Sequence, residues 1–409
     1  MVSGKNISRW NYTKVTAILC QKIMYIFLFV IFSQTAIAQT DTTATNLKWF
    51  YLNGYLKDLQ LFSFKDDADS IYLTNEIHNR LNFKIALPQN FEINAGMRNR
   101  FFVGDQVKMI PGFAEQIEND NGYMNLTFNW FETNSMVMNT TFDRLNIDWK
   151  KNKMHFRVGR QRINWGINLT WNPNDIFNSY NFLDFDYEER PGTDAVLAEY
   201  NLTDFSGIDI AFSPSHEKDD ATAALRYRLN THGYDLQFLG GVCKTDIVAG
   251  VGWAGSIGEA GFKGEATYFH PKKEFTDSIG SLSASIVVDY SFKKGWYVNA
   301  SILYNGYAEN NPQNILLLAD RTLSAKNLMP GVYNFMLQTS KNFSPLLSAN
   351  FSVVYSPEEQ LFILLPYINY SITNSFNLDL FVQSYFAENF EGEVEPVNNS
   401  VFLRMRWSF

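Results

Sequence analysis

The last nine residues, Val401 to Phe409, restrict the fold more than any other stretch of the chain. Val401, Leu403, Met405, Trp407 and Phe409 are apolar, whereas Arg404, Arg406 and Ser408 between them are polar. Successive side chains of a strand point to opposite faces, so this run carries one oily face and one wet face. Nine alternating residues also suit a half-buried strand of a sandwich, so the rest of the chain has to decide.

It decides by repetition. In Glu76–Leu87, the residues Ile77, Leu81, Phe83, Ile85 and Leu87 share one face, while Glu76, His78, Arg80, Asn82 and Lys84 share the other. After the turn Pro88-Gln89-Asn90, Phe91, Ile93, Ala95 and Met97 continue the apolar face; Glu92, Asn94, Arg98 and Arg100 continue the polar one. Runs of this kind recur to the C-terminus and predict about eighteen strands, or sixteen if one hairpin within 233–255 does not form. Short turns, as at Asn152, Thr203, Ser256 and Thr373, alternate with longer connections such as 104–138, 161–193 and 307–329. The pattern predicts an all-β, transmembrane antiparallel β-barrel over residues 48–409, with short periplasmic turns, longer outer loops and both termini on the periplasmic side. Barrels of sixteen to eighteen strands leave a water-filled lumen. A large soluble periplasmic β protein is the competing reading.

The N-terminus points to export. Lys14 and Lys22 precede the apolar run Ile23–Phe32, and Ala36-Ile37-Ala38 supplies a small-x-small cleavage site. Residues 1–38 therefore read as a signal peptide, with 39–47 a short periplasmic segment before the barrel. The apolar run is shorter than the roughly 20 residues a spanning helix needs. The leader holds four bases and no acid, so its removal makes the net charge of −8 more negative by four. That acidity argues against nucleic acid as a partner. Cys243 is then the one remaining cysteine, so no internal disulfide forms. Aromatic residues are 16% of the chain, yet mean hydropathy is slightly negative. Alternation explains both, because each apolar residue is followed by a polar one. A last strand ending on Phe409 also resembles the mark by which the barrel-assembly machinery recognises outer-membrane barrels, which implies that machinery and outer-membrane lipid as partners.

The most unusual connection is 161–193. It runs from Arg160-Gln161-Arg162-Ile163-Asn164-Trp165-Gly166 through Trp171-Asn172-Pro173-Asn174-Asp175 to Asp184-Phe185-Asp186-Tyr187-Glu188-Glu189-Arg190-Pro191-Gly192. A connection longer than about 12–15 residues in a compact fold is functional or disordered, and its aromatic content argues against disorder. We expect a constriction folded into the lumen, built from Arg160, Arg162, Trp165, Asp175, Asp184, Asp186 and Arg190, with Arg160 and Arg162 paired to Asp184, Asp186, Glu188 or Glu189. The alternative is an outer lid whose charges only brace the barrel.

Gly159-Arg160-Gln161, Asn164-Trp165-Gly166, Asn172-Pro173-Asn174-Asp175 and Arg190-Pro191-Gly192 together resemble a signature of porin-like outer-membrane proteins, a largely uncharacterised group distantly similar to alginate-export-type porins. The resemblance covers roughly residues 155–215. It implies a barrel with transport-like activity and names no solute.

A second constellation is a row of inward bases, His78, Arg80, Lys84, Arg98, Arg100, Arg144, Lys150 and Arg157. Arg80, Arg98, Arg100 and Arg157 form the candidate basic wall, since rows of Arg and Lys select anions in pores. Glu76, Glu92, Asp143 and Asp148 interleave with them, so a self-neutralising ladder across strands is the alternative.

Other signals are weaker. Gly250-Val251-Gly252-Trp253-Ala254-Gly255 matches a dinucleotide fingerprint by letters but lacks its βαβ setting. Five histidines without metal-ligand spacing suggest no zinc site, and no Gly-x-Ser-x-Gly elbow is present. The acidic loops Asp66-Asp67-Ala68-Asp69 and Glu391–Glu395 read as solvated charge. The expected function is passive passage of a small polar solute through a barrel in the bacterial outer membrane, with no enzyme activity and no cofactor. A barrel-anchored surface binding or adhesion protein is the rival, and an outer-membrane hydrolase is the remoter one. Association into homo-oligomers stays open.

Overall fold

In the computed structural model the described residues are 49–65, 71–179, 181–184, 190–217, 219–273, 275–309, 323–388 and 392–409. The leader 1–38 and the segment 39–47 lie outside them. Strands β1 (Phe50–Phe64), β2 (Ile71–Leu87) and β3 (Phe91–Gly104) open the wall. The next connection holds two short helices, α1 (Asp105–Met109) and α2 (Phe113–Glu118), and strand β4 (Thr127–Thr133). The wall resumes with β5 (Met136–Lys151), β6 (Met154–Gln161), β7 (Thr193–Thr203), β8 (Ser206–Ser213) and β9 (Thr222–Thr231). It continues through β10 (Tyr234–Cys243), β11 (Asp246–Ile257), β12 (Ala260–Pro271), β13 (Ser281–Ser291) and β14 (Trp296–Asn305). Strands β15 (Tyr333–Asn342), β16 (Leu347–Ser356), β17 (Leu361–Thr373), β18 (Phe376–Glu388) and β19 (Val394–Ser408) complete it.

Consecutive wall strands pair antiparallel, and β19 returns to β1 over Tyr55↔Ser408 to Phe64↔Asn399. Closure leaves no unpaired sheet edge at that seam, which is what a bilayer demands of a spanning sheet. Phe409 seals it: its N–H and carbonyl both bond Gly54 at 3.0 Å.

The nineteen strands make an eighteen-strand barrel. Strands β4 and β6 pair with one and the same edge of β5, β4 beside Met136–Thr141 and β6 beside Leu145–Lys151. β3 takes the opposite edge along the whole of this stretch. β4 thus fills the outer half of the wall position that the short β6 leaves vacant. The expectation that 104–138 is a connection between strands is corrected here, since it holds a strand of its own. Its β4 stretch carries a register shift between Asn129 and Phe131, and that extra residue breaks the alternation by which strands announce themselves.

Alternation places the apolar set outside, where Ile210, Leu337 and Val158 are each more than half exposed. No helix among the described residues is long and apolar enough to cross a membrane. The lumen side is less polar than alternation alone suggests. Leu303, Met336, Val354, Ile363, Leu365 and Phe381 point inward from β14–β18 and are buried. Something must cover them, and the β6–β7 connection does.

Candidate functional site

The chain leaves the wall at Gln161 and re-enters it at Thr193, and between them residues 162–179 and 181–184 pack against the inner face of the wall. Two indoles drive that packing. Trp171 is 1% exposed and packs in one apolar cluster with Leu303, Met336, Val354 and Phe381. Trp165, at 2%, packs in a second with Leu197, Ala211, Leu239 and Phe269. A buried aromatic side chain removes roughly 150–250 Å² from water, so at about 25 cal/mol per Å² each anchor contributes several kcal/mol.

Hydrogen bonds fix the register of the segment against the wall. The Glu265 carboxylate on β12 accepts the main-chain amides of Ile167, of Asn168 at 2.6 Å and of Asn174 at 2.9 Å. Asn168 Nδ2 donates to Ser285 Oγ on β13 at 3.1 Å. Asn174 receives Thr267 Oγ1 at 2.6 Å and donates to the Val251 carbonyl at 3.0 Å. Gln237 Nε2 on β10 donates to the Trp165 carbonyl at 2.7 Å, and Gln383 on β18 donates to the Leu183 carbonyl. Glycines in β11 permit this contact. A Cβ on Gly250 would sit 2.9 Å from Asn174 Oδ1, and one on Gly252 would sit 2.8 Å from Ile167 Cδ1. The fingerprint-like glycines therefore serve close approach of the lumen segment.

The residues expected in the constriction separate into three roles. Trp165 is a packing anchor, edge-on to Phe177 at 5.1 Å and under the Arg226 guanidinium at 5.2 Å. Asp175 is 1% exposed, accepts the Trp165 amide at 3.4 Å and lies 3.9 Å from Arg190 Nη1. Burial pushes its carboxyl up to about 7, against the opposing charges of Arg162 and Arg190. Arg190 also gives its carbonyl to Arg144 Nη2 at 2.7 Å. Asp184 is exposed, within electrostatic reach of Arg100. Asp186, Glu188 and Glu189 lie outside the described residues.

Arg160 corrects the expected pairing. Its guanidinium meets Asp194 Oδ2 and Asp120 Oδ2, each at 2.7 Å, and also donates to the Met124 carbonyl. Asp120 lies in the connection before β4, and Asp194 opposes Arg160 on β7. Burial works against ionisation of Asp120, but Arg160 and the amides of Leu126 and Gly122 outweigh it and hold the carboxyl below its ordinary range. Arg160 therefore clamps the outer connection to the point where β6 leaves the wall. Nothing in the sequence marks Asp120 or Asp194 for this among 42 acids.

The basic wall divides as well. Arg80 Nη1 meets Asp143 Oδ2 at 2.6 Å with both side chains buried. Arg157 Nε meets Asp148 at 2.9 Å, and Asp148 also contacts His155. Arg98 shares Asp143 at 3.4 Å, while Arg100 donates to Asn139 Oδ1 at 3.2 Å. Arg98 and Arg100 border an open cavity of about 650 Å³ on the long-loop side, which Phe177, Asn178, Ser179 and Gly192 also line. A second cavity of about 390 Å³ lies toward the short turns, lined by Thr170, Phe182, Gln338, Asn350 and Arg404 among others. The lumen segment stands between a basic wall at β2–β5 and an apolar wall at β14–β18.

No family model matches the chain, and no curated protein matches it. Solved structures do. OccK11 (OpdR) of Pseudomonas aeruginosa aligns with a TM-score of 0.53 at 8% identity, covering 88% of this chain and 96% of that one. OccAB1 of Acinetobacter baumannii gives 0.52 at 8%, covering 91% and 99%. OccD3 (OpdP) of Pseudomonas aeruginosa gives 0.51 at 11%, covering 88% and 91%. The chain is similar to these in fold.

Proposed function

We propose that this chain is a porin-like channel of the bacterial outer membrane that passes small hydrophilic solutes by diffusion. The observation that carries the reading is the pair of cavities flanking a lumen segment, the larger of them lined mainly by polar groups, inside a closed barrel with an apolar exterior. Filling by loops rather than by wall side chains leaves a narrowed path instead of a solid core. The neighbours of like fold are Occ/OprD-type outer-membrane porins, which supports the same reading. The narrower likeness to alginate-export-type porins rests on the Gly159–Gly192 signature alone. The constriction in this proposal is the gap between Arg98 and Arg100 on one side and Phe177, Asn178 and Ser179 on the other.

Planar-bilayer recording of the purified protein tests it. Steady open-channel steps are expected, with larger steps after excision of 167–185. Silence of the folded wild type would favour the surface-binding reading, and unchanged conductance after excision would remove the constriction.

A further inference from the structure

Carboxylates and carboxamides on the outward face of the wall gather in one sector, around β1–β5. Asp58 lies between the buried Lys57 and Leu59 on β1, so alternation places it outside, and Gln60 follows it on that face. Asn75 and Asn79 occupy the same face of β2, Asn79 between the buried His78 and Arg80. Asn99 on β3 and Thr140 on β5 continue the row, since Asn79 opposes Asn99 and Asn99 opposes Thr140. Along their strands these residues are flanked by outward apolar groups, Leu56 and Phe62 on β1 and Met97 and Phe101 on β3. The strip therefore lies within the lipid-facing belt and not at a rim. From β8 to β17, no carboxylate or carboxamide points outward among the described residues; Ile210, Leu225, Phe238, Ile286, Leu337 and Leu364 are representative.

The strip has two parts. Asp58 accepts from Gln60 Nε2 at 3.0 Å and from Asn75 Nδ2. Beside it runs a relay: Trp130 Nε1 to Thr140 at 2.9 Å, Thr140 to Asn99 at 2.7 Å, Asn99 to Asn79 at 3.2 Å, and Asn79 to the Tyr55 carbonyl at 3.2 Å. The first part is rich in acceptors. In the second, each carboxamide nitrogen has a second hydrogen beyond the bond given. Polar and ionised groups inside a bilayer are costly and normally meet other protein.

We infer that this sector is a twofold interface between two copies of the chain. In such a contact, residue i meets j and j meets i. An axis passing near Ile77, which opposes Asp58 and precedes Asn79 by two residues, sets the Asp58 cluster of each copy against the Asn79–Asn99 relay of its mate. Donors then face acceptors twice over. The outward faces of β8–β17 carry Thr339, Lys341 and His270 but no carboxylate or carboxamide among the described residues, so the matching set of carboxamide donors and acceptors on this chain is the strip itself. The inference rests on the membrane placement proposed above.

The test uses the full chain in bacterial outer membranes, in a Cys243→Ser background, with Ile77→Cys oxidised by a lipid-soluble copper catalyst. A band at twice the chain's mass is expected at several-fold higher yield than for Leu225→Cys on β9. Adding Asp58→Leu and Asn79→Leu, with the folded barrel verified by its heat-modifiable gel band, should cut that yield about tenfold. A folded Ile77→Cys protein that stays monomeric, crosslinks to a band of another mass, or crosslinks equally with the double leucine change would overturn the interface. Conductance recorded on the same preparation separates that outcome from failure of the channel reading.

Discussion

Glu265 on β12 and Asn174 in the lumen segment meet at 2.9 Å through carboxylate and main-chain amide. The bond is one of three amide bonds that a single carboxylate accepts there. Glu265 is thereby the polar tether of a segment whose apolar anchors, Trp165 and Trp171, lie in separate clusters.

Glu265→Gln keeps the shape but replaces one acceptor oxygen by an NH2 group, so at least one of the three main-chain amides loses its acceptor. Leaving a buried donor unpaired costs roughly 1–3 kcal/mol, so the seat of the segment should weaken by about that much. Single-channel records should then show added current noise and brief larger openings. A trace indistinguishable from wild type would remove Glu265 from this role.

Arg98 and Arg100 line the larger cavity, whereas Arg80 and Arg157 are spent on Asp143 and Asp148. Arg98→Ser with Arg100→Ser should therefore move the reversal potential toward cations in a salt gradient, and Arg157→Ser should move it less. Equal shifts for all three positions would mean that the wall acts as one field.

Arg160 is closed in by Asp120 and Asp194, with all three side chains under a tenth exposed. Arg160→Met leaves two carboxylates without their cation. Breaking a buried ion pair from one side costs roughly 3–5 kcal/mol, which should lower the temperature at which the folded gel band is lost. Combining it with Asp194→Asn should recover part of the loss; additive losses would mean that the two residues do not act as a pair.

The Asp175 carboxyl, in the lumen connection and outside the strands, is held up at about 7. A carboxyl with a raised folded pKa binds its proton more tightly in the folded state. Its contribution to stability is full below the ordinary value near 3.8 and is lost as pH rises through about 7. Ion selectivity should follow the same window, the lumen becoming more negative as pH rises from about 6 to about 8. Asp175→Asn should flatten that dependence, measured as ion selectivity between these two values.

The strand pattern was legible because lipid and water impose opposite demands on alternate residues, and Ile77 to Phe101 obeys them at nearly every position. β4 was not legible, because the extra residue between Asn129 and Phe131 breaks the period within a seven-residue strand. Length and tryptophans marked the connection after β6 as functional but left two readings open, a lumen constriction and an outer lid; Trp165 and Trp171 lie in the lumen. The partners of this region were not legible. Arg160 finds Asp194 and Asp120 at separations of 34 and 40 residues, and Glu265 is one polar residue among many in β12. Inward Leu303, Ile363 and Phe381 are also silent in a sequence where inward residues are assumed wet; they make sense only once Trp171 lies on them.

The shared wall position of β4 and β6 has a consequence for redesign. Trimming the 104–135 region as though it were a dispensable surface excursion would strip the edge of β5 beside Met136–Thr141 and leave its ladder groups unpaired there. Acyl chains could then enter sideways, so shortened variants should leak or misassemble before their extracellular reach matters at all.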